Sequence, residues 1–284
     1  MTNQIIVQLN PDVPPTGSDL GIVNAARKSF GRRSEWDYEG VDNMGYLIHQ
    51  LKPKDKRLLE FLARGMTADD FDKLIHEYAD TDLSKHPELL WQWRNTPTHD
   101  TPFNHGFFSF EVKAPVFVAR HLVKHEYLIM SEYSRRYITD DVEFYTPDVW
   151  RKAAADVKQG SSDDQVYMLG LEGSSSIQIR PLPYKMTGGG SIDEHTKDLN
   201  KVAIELYKEM ISSGVAPEQA RMVLPQSLMT SWTWSGTMGA FANMCKLRLS
   251  KDTQYETRLV AQGVYAELKK QFPVAAPLLV EGVL

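Results

Sequence analysis

The chain has 284 residues, of which 42% are hydrophobic and 24% charged, with a formal net charge of -5. That length gives room for a sizeable core, as one large domain or two small ones, while the mild acidity gives no ground for nonspecific binding to a nucleic-acid backbone. The single cysteine, Cys245, excludes an intramolecular disulfide and a zinc site built mainly on thiolates; no apolar run has the length of a membrane span, and the N-terminus lacks a signal-peptide plan, so a soluble cytoplasmic chain with no membrane partner is expected.

In chain order, residues 4–9 (QIIVQL) predict a short strand ended by a proline-rich turn. Asp19 is the expected N-cap of a helix reaching about Phe30, with Ile22, Val23, Ala26 and Phe30 at helical spacing. Residues 54–80 and 84–95 alternate charged and apolar groups at helical period and predict two or three helices. Phe108, Phe110 and Val112 alternate with Ser109, Glu111 and Lys113, the pattern of a half-buried strand, and Pro115 suits the first turn of a following helix. Residues 143–147 read as another strand. Residues 158–193 are rich in Gly, Ser and Pro and predict a long loop. A helix is expected from about Asp193 to Ser213, closed by Gly214, then one starting at Pro217 and a last long one from Gln254 to Phe272. No composition shift divides the chain, so residues 1–284 are expected to form one domain decorated by the loop.

Chemistry concentrates between Arg120 and Tyr137, RHLVKHEYLIMSEYSRRY, where two histidines, two glutamates, three arginines and a lysine are interleaved with apolar residues. Read alone, the stretch suggests a charged helix. Ionised groups beside packed surface need partners, and an anionic ligand is one way to supply them. His121 and His125 stand four apart, a zinc-site spacing on a helix with Glu132 on roughly the same face, but Lys124 would oppose a cation, and the reading adopted is two hydrogen-bonded histidines with no metal. Glu132, Ser134, Arg135 and Arg136 form a denser group. Arginine offers phosphate a planar fork of donors and serine adds a hydroxyl, although a salt-bridged helix terminus would carry the same residues.

The segment resembles the signature of the flavin-dependent thymidylate synthases, the ThyX family: R-H-R, seven residues, then S, with E two before the serine and R-Y shortly after it. Lys124, His125 and Glu126 occupy the R-H-R positions, Ser134 the serine, and Glu132, Arg136 and Tyr137 the remainder. AARKSF (25–30), HDTPFNHGFFSFEVKAPVFVAR (99–120), EFYTP with the following WR and KQGS (150–161), SGVAPEQARMVLP (213–225) and NMCKLRLSKDTQYETR (243–258) are similar to family blocks, in family order, over about half the chain. Residues 50–98 and 162–192 then look like insertions.

The resemblance implies an α+β (mixed α/β) fold, a central, largely antiparallel sheet wrapped by helices. It implies reductive methylation of dUMP to dTMP, with FAD carrying hydride from NADPH and 5,10-methylenetetrahydrofolate supplying the carbon, in a homotetramer whose sites draw on several subunits. Residue by residue, it assigns Ser134, Arg135 and Arg136 to the nucleotide phosphate, with Glu132 nearby. Arg221 and Arg248 contact the nucleotide, Arg248 polarising the pyrimidine, and His121 lies beside it. Ser29, His99, Thr101, Lys124, His125, Glu126, Asn243 and Leu247 fall to the flavin. Arg248 and Ser134 are the expected catalytic pair. The chain departs from the family pattern at Lys124 and Glu126, where arginines are usual, at Thr237 and Gly239, usually Asn and Arg, at His121, usually Gln, and at Ser131, usually Asn or Gln. Glu126 reverses a charge where a pyrophosphate is expected nearby. Two alternatives accompany this reading: methylation or hydroxymethylation of another pyrimidine nucleotide such as dCMP, motivated by His121, and a nucleotide-binding homologue without catalysis.

Overall fold

Periodicity of two in residues 107–115 and 229–237 builds the centre of the molecule. The computed structural model describes residues 4–64, 76, 99–153, 161–166 and 191–281. Its elements are β1 (Ile6–Leu9), α1 (Asp19–Arg27) continuing as a 3-10 turn (Lys28–Phe30), β2 (Asp37–Val41), β3 (Leu47–Gln50), α2 (Pro53–Arg64), a 3-10 turn (Thr101–His105), β4 (Phe107–Pro115), α3 (Val116–Leu122) and β5 (Leu128–Glu132). They continue with β6 (Arg151–Ala153), β7 (Ser161–Gln165), α4 (Ile192–Ser212), α5 (Pro217–Ala220) with a 3-10 turn (Arg221–Val223), β8 (Met229–Thr237), α6 (Met238–Arg248), α7 (Tyr255–Gln271) and α8 (Ala275–Val280). The main sheet is antiparallel with strand order β1-β4-β8-β5, and β2-β3 and β6-β7 form two small antiparallel pairs. The expected α+β architecture is the observed one.

One face of the sheet is the core. Phe108, Phe110 and Val112 lie opposite Gly236, Trp234 and Trp232, all buried. Phe241 of α6 packs edge-on against both Phe110 and Trp234, and α7 and α8 add Val260, Val264, Leu268, Phe272 and Ala276 to the same core. The other face is a polar ladder. Ser109 meets Ser235 at 2.8 Å, Thr233 donates to Glu111 at 2.7 Å, and Lys113 pairs with Glu143 at 2.6 Å. Such cross-strand pairs fix register as well as stability. Gly236 allows an unusually close approach: a Cβ there would lie 2.5 Å from Leu128 Cδ2 and 3.0 Å from the Tyr127 carbonyl oxygen. The absent side chain lets the turn before β5 settle on β8.

Several expectations are corrected. Ser18, not Asp19, caps α1, its hydroxyl accepting from Gly21 N at 3.1 Å. Asp19 instead reaches across the fold and accepts from Val274 N and Ala275 N, each at 2.9 Å, satisfying the exposed donors at the start of α8. Residues 143–147 make a single bridge, Phe144 to Leu228, and Pro147, which has no N–H, cannot extend a ladder. β7 lies inside the expected loop of 158–193, where it pairs with β6. Of the helices expected over 54–95, α2 is described and residues 84–95 lie outside the described residues. α4 starts as a full capping box, with Ser191 and Glu194 exchanging backbone bonds, and ends before Gly214 at φ +84.

Candidate functional site

The stretch from Arg120 to Tyr137 is not one helix. α3 stops at Leu122, Tyr127 turns the chain at φ +62, and β5 runs from Leu128 to Glu132. The break separates the two histidines by partner. His121 Nδ1 lies 3.0 Å from the Thr257 hydroxyl of α7, while His125 Nε2 accepts from Arg248 Nε at 2.8 Å. Among the described residues, no three or more His, Cys, Asp or Glu side chains gather as a metal site.

The bond to Arg248 assigns His125 its chemistry. A guanidinium has donors only, so Nε2 must be a lone pair and the ring proton sits on Nδ1. Burial first, then Arg248 and His121, push the His125 pKa down to about 4. Burial and Arg248 lower that of His121 in the same direction. Both rings are therefore neutral near pH 7. Burial also lowers the pKa of Arg248, whose ordinary value is so high that the charge persists. With Nε committed, its two terminal nitrogens have no partner among the described residues and could meet a ligand.

His121 and Arg248 line a cleft of about 810 Å³, together with Leu247, Phe117, Tyr145, Trp150, Arg151, Tyr255 and Glu256. Arg151 lies with its guanidinium carbon 3.8 Å over the Tyr255 ring and its Nη2 donates to Glu256 Oε1 at 2.8 Å, so one wall is a stacked and paired cation. Burial, with Glu256 and Asp148 next, raises the Tyr145 pKa, so its phenol stays protonated. Aromatic walls and fixed cations suit a planar polar ligand carrying negative charge. Thr257, Arg151 and Glu256 escaped the reading of the sequence. The ion pair is 105 positions apart and the His121–Thr257 contact 136, and no local pattern announces either.

The remaining expected residues lie elsewhere. Ser134, Arg135 and Arg136 follow the far end of β5, about 17 Å from its start at the usual strand rise. Arg135 is buried and donates to the carbonyls of Asp140 and, at 2.7 Å, Asp141, so it ties the 134–141 turn together. Arg136 is exposed, its backbone N–H and Nε each 3.4 Å from Ser134 Oγ. Glu132 accepts from the Thr230 hydroxyl at 2.9 Å. Arg221 is exposed beside α5, donating to the Glu218 carbonyl at 3.3 Å.

The residues expected at a flavin follow α6. Asn243 and Leu247, one turn apart, are open on a helix whose Phe241, Ala242, Met244 and Cys245 are buried, and this open edge leads to Arg248. Near its start, the Asn104 amide oxygen accepts from the Thr237 hydroxyl at 2.6 Å and covers Gly239, where a Cβ would lie 2.6 Å from it. The exposed Thr101 belongs to the same 3-10 turn as Asn104. His99 rests near Phe61 with ring centroids 5.8 Å apart, and Ser29 donates to the Ala26 carbonyl at 3.1 Å. Lys124 and Glu126 are exposed. A phosphate brought to about 4 Å from a carboxylate so hydrated would be repelled by about 1 kcal/mol, in place of the several expected for a poorly solvated one.

Fold and site together define an α+β protein with a cleft lined by Arg248 and Arg151. The family model described as thymidylate synthase complementing protein matches residues 16–274, and the chain belongs to that family. A flavin-dependent thymidylate synthase of Thermus thermophilus is 32% identical over 181 residues, 62% of this chain and 57% of that protein, so the match spans little more than half of that relative. One of Thermotoga neapolitana is 26% identical over 257 residues, covering 90% and 83%. Among solved structures, the UMP/dUMP methylase PolB of Streptomyces cacaoi bound with 5-Br dUMP superposes with a TM-score of 0.61 at 24% identity, covering 97% of this chain and 94% of that one, a likeness of fold. Among the described residues no helix is long and apolar enough to cross a membrane.

Proposed function

We propose that the protein transfers a one-carbon unit to C5 of a pyrimidine deoxynucleotide, as the reductive methylation of dUMP to dTMP with FAD, NADPH and 5,10-methylenetetrahydrofolate. The observation that carries the reading is the Arg248 guanidinium, held by His125 at 2.8 Å at the edge of the cleft, in a chain of this family. For C5 to attack the carbon electrophile the ring must react as its enolate, whose negative charge lies on the ring carbonyls. A cation already locked in place stabilises that charge without reorganising. His125 holds it as a neutral acceptor, and Tyr145 and Trp150 wall the cleft.

Ser134 and Arg136 are the proposed phosphate ligands, with Arg221 a further one and Glu132 beside them. Arg135 shapes their turn through the carbonyls it already serves. Because the turn at Ser134 and the cleft at Arg248 stand a strand's length apart, the proposal includes self-association as a homotetramer, one copy supplying the phosphate group's donors to another copy's cleft. The chain is proposed as one catalytic domain. The open edge of α6 suits a planar, polar-edged ring, so Asn243 and Leu247 would hold the flavin, with His125, His99, Thr101, Ser29, Lys124 and Glu126 around it. Bound flavin would supply the hydride that completes the methyl group.

The test is a titration of the purified protein with FAD, followed by product analysis with dUMP. A shifted flavin spectrum, and dTMP formation that requires FAD, NADPH and methylenetetrahydrofolate together, are the expected results. A protein that leaves the FAD spectrum unchanged and forms no dTMP would overturn the proposal.

A further inference from the structure

His121 comes from the last turn of α3 and Thr257 from the first turn of α7, with Nδ1 and Oγ1 3.0 Å apart. Thr257 is fully buried, and the imidazole is the one hydrogen-bond partner of its hydroxyl among the described residues. A helical threonine commonly returns its proton to the carbonyl four residues back. Here the Thr257 hydroxyl makes no bond to that carbonyl, of Thr253, among the described residues, and the carbonyl accepts from Arg258 Nη2 at 3.1 Å. Among the described residues the hydroxyl proton has a single acceptor, the lone pair on Nδ1. The opposite polarity, Nδ1–H donating to Oγ1, would strand a hydroxyl donor in the interior. With Nδ1 accepting, a neutral ring carries its proton on Nε2. Burial and Arg248 both favour the neutral ring. Nε2 has no protein partner among the described residues, and the side chain lines the cleft beside Arg248.

We propose that Thr257 is a positioning residue that fixes His121 as an Nε2–H donor reading a ring carbonyl, so that the cleft selects a uracil nucleotide over a cytosine nucleotide. This rests on the function proposed above and decides between its two base classes. Uracil offers an acceptor oxygen where cytosine carries an amino donor, and two donors facing each other in a partly buried cleft leave both unpaired. A glutamine at this position could turn either end of its amide to a ligand. A histidine locked at Nδ1 cannot.

Two measurements test the inference separately from the function. Nitrogen-15 NMR of histidine-labelled protein reports the tautomer directly, with no turnover needed. His121 is expected as Nε2–H in the wild type and as a mixture of tautomers in Thr257→Val, which keeps the shape and removes the hydroxyl. An Nδ1–H ring in the wild type overturns the inference even if dTMP is made. Competition between dUMP and dCMP then reads the selectivity. The wild type should prefer dUMP, and Thr257→Val should narrow that preference by about tenfold, through a higher KM for dUMP with FAD affinity unchanged. A preference unaltered in a folded Thr257→Val protein, or a wild type that prefers dCMP, overturns the inference. Binding of neither nucleotide overturns the proposed function, and the carbonyl-reading step with it.

Discussion

His125→Ala removes the acceptor that orients the Arg248 guanidinium. Arg248 Nε donates to His125 Nε2 at 2.8 Å, and both side chains are half-buried. A hydrogen bond from a charged donor in such a setting contributes about 1.5–3 kcal/mol. If that whole amount is felt in the transition state, with about 1.36 kcal/mol for each tenfold, kcat/KM for dUMP falls about ten- to 150-fold. The loss should appear mainly in kcat. The cation stays in the cleft, and what disappears is its alignment with charge that develops only during reaction. The assay is steady-state dTMP formation at saturating FAD, with FAD affinity measured separately because His125 is also proposed to face the flavin. His125→Asn returns a side-chain acceptor and should recover part of the activity. Wild-type kcat/KM in His125→Ala at equal flavin occupancy would refute the reasoning.

The same histidine sets a pH dependence. Its folded pKa of about 4 lies below the ordinary 6.5, so between these values the unfolded chain binds the extra proton; stability is full above pH 6.5 and declines as pH falls to about 4. Denaturation midpoints of wild type and His125→Gln at neutral and mildly acidic pH should show a shallower decline in the variant, and equal declines would contradict the assignment. Gly236→Ala places a Cβ against Leu128 and the Tyr127 carbonyl, which should cost about 1–3 kcal/mol and lower activity by shifting the turn that carries His125; calorimetry and dTMP assays report the two effects, and unchanged values would refute the close approach. Arg135→Ala should lower stability by about 3 kcal/mol through its lost bonds to carbonyls. Arg136→Ala should leave stability within about 0.5 kcal/mol yet weaken dUMP binding, and the reverse pattern in melting and binding would overturn both roles.

The parts of this fold legible in the sequence are those with a local physical signature. Alternation marked β4, and Gly214 marked the end of α4. Resemblance blocks spread along the chain carried the α+β architecture. The charged stretch after Arg120 was illegible because its apolar residues follow neither period, and the turn that divides it rests on Tyr127, a residue type that does not advertise a positive φ. His121 and His125 kept helical spacing beyond the point where the helix had ended. An arginine beside a serine gives no sign that Arg135 donates to two carbonyls five and six residues later. Asp19 at α8 and Thr257 at His121 depend on chain segments brought together only by folding. Nothing local to the sequence shows that the charge-reversing Glu126 is exposed.

Release of tritium from C5-labelled dUMP tests the central claim most directly, since every methyl placed on C5 must displace the hydrogen there. With FAD, NADPH and methylenetetrahydrofolate present, the wild type should release tritium in step with dTMP, and Arg248→Ala, folded and with FAD bound, should release almost none. Absence of tritium release from wild-type protein that binds both FAD and dUMP, or undiminished release from Arg248→Ala, would contradict the account.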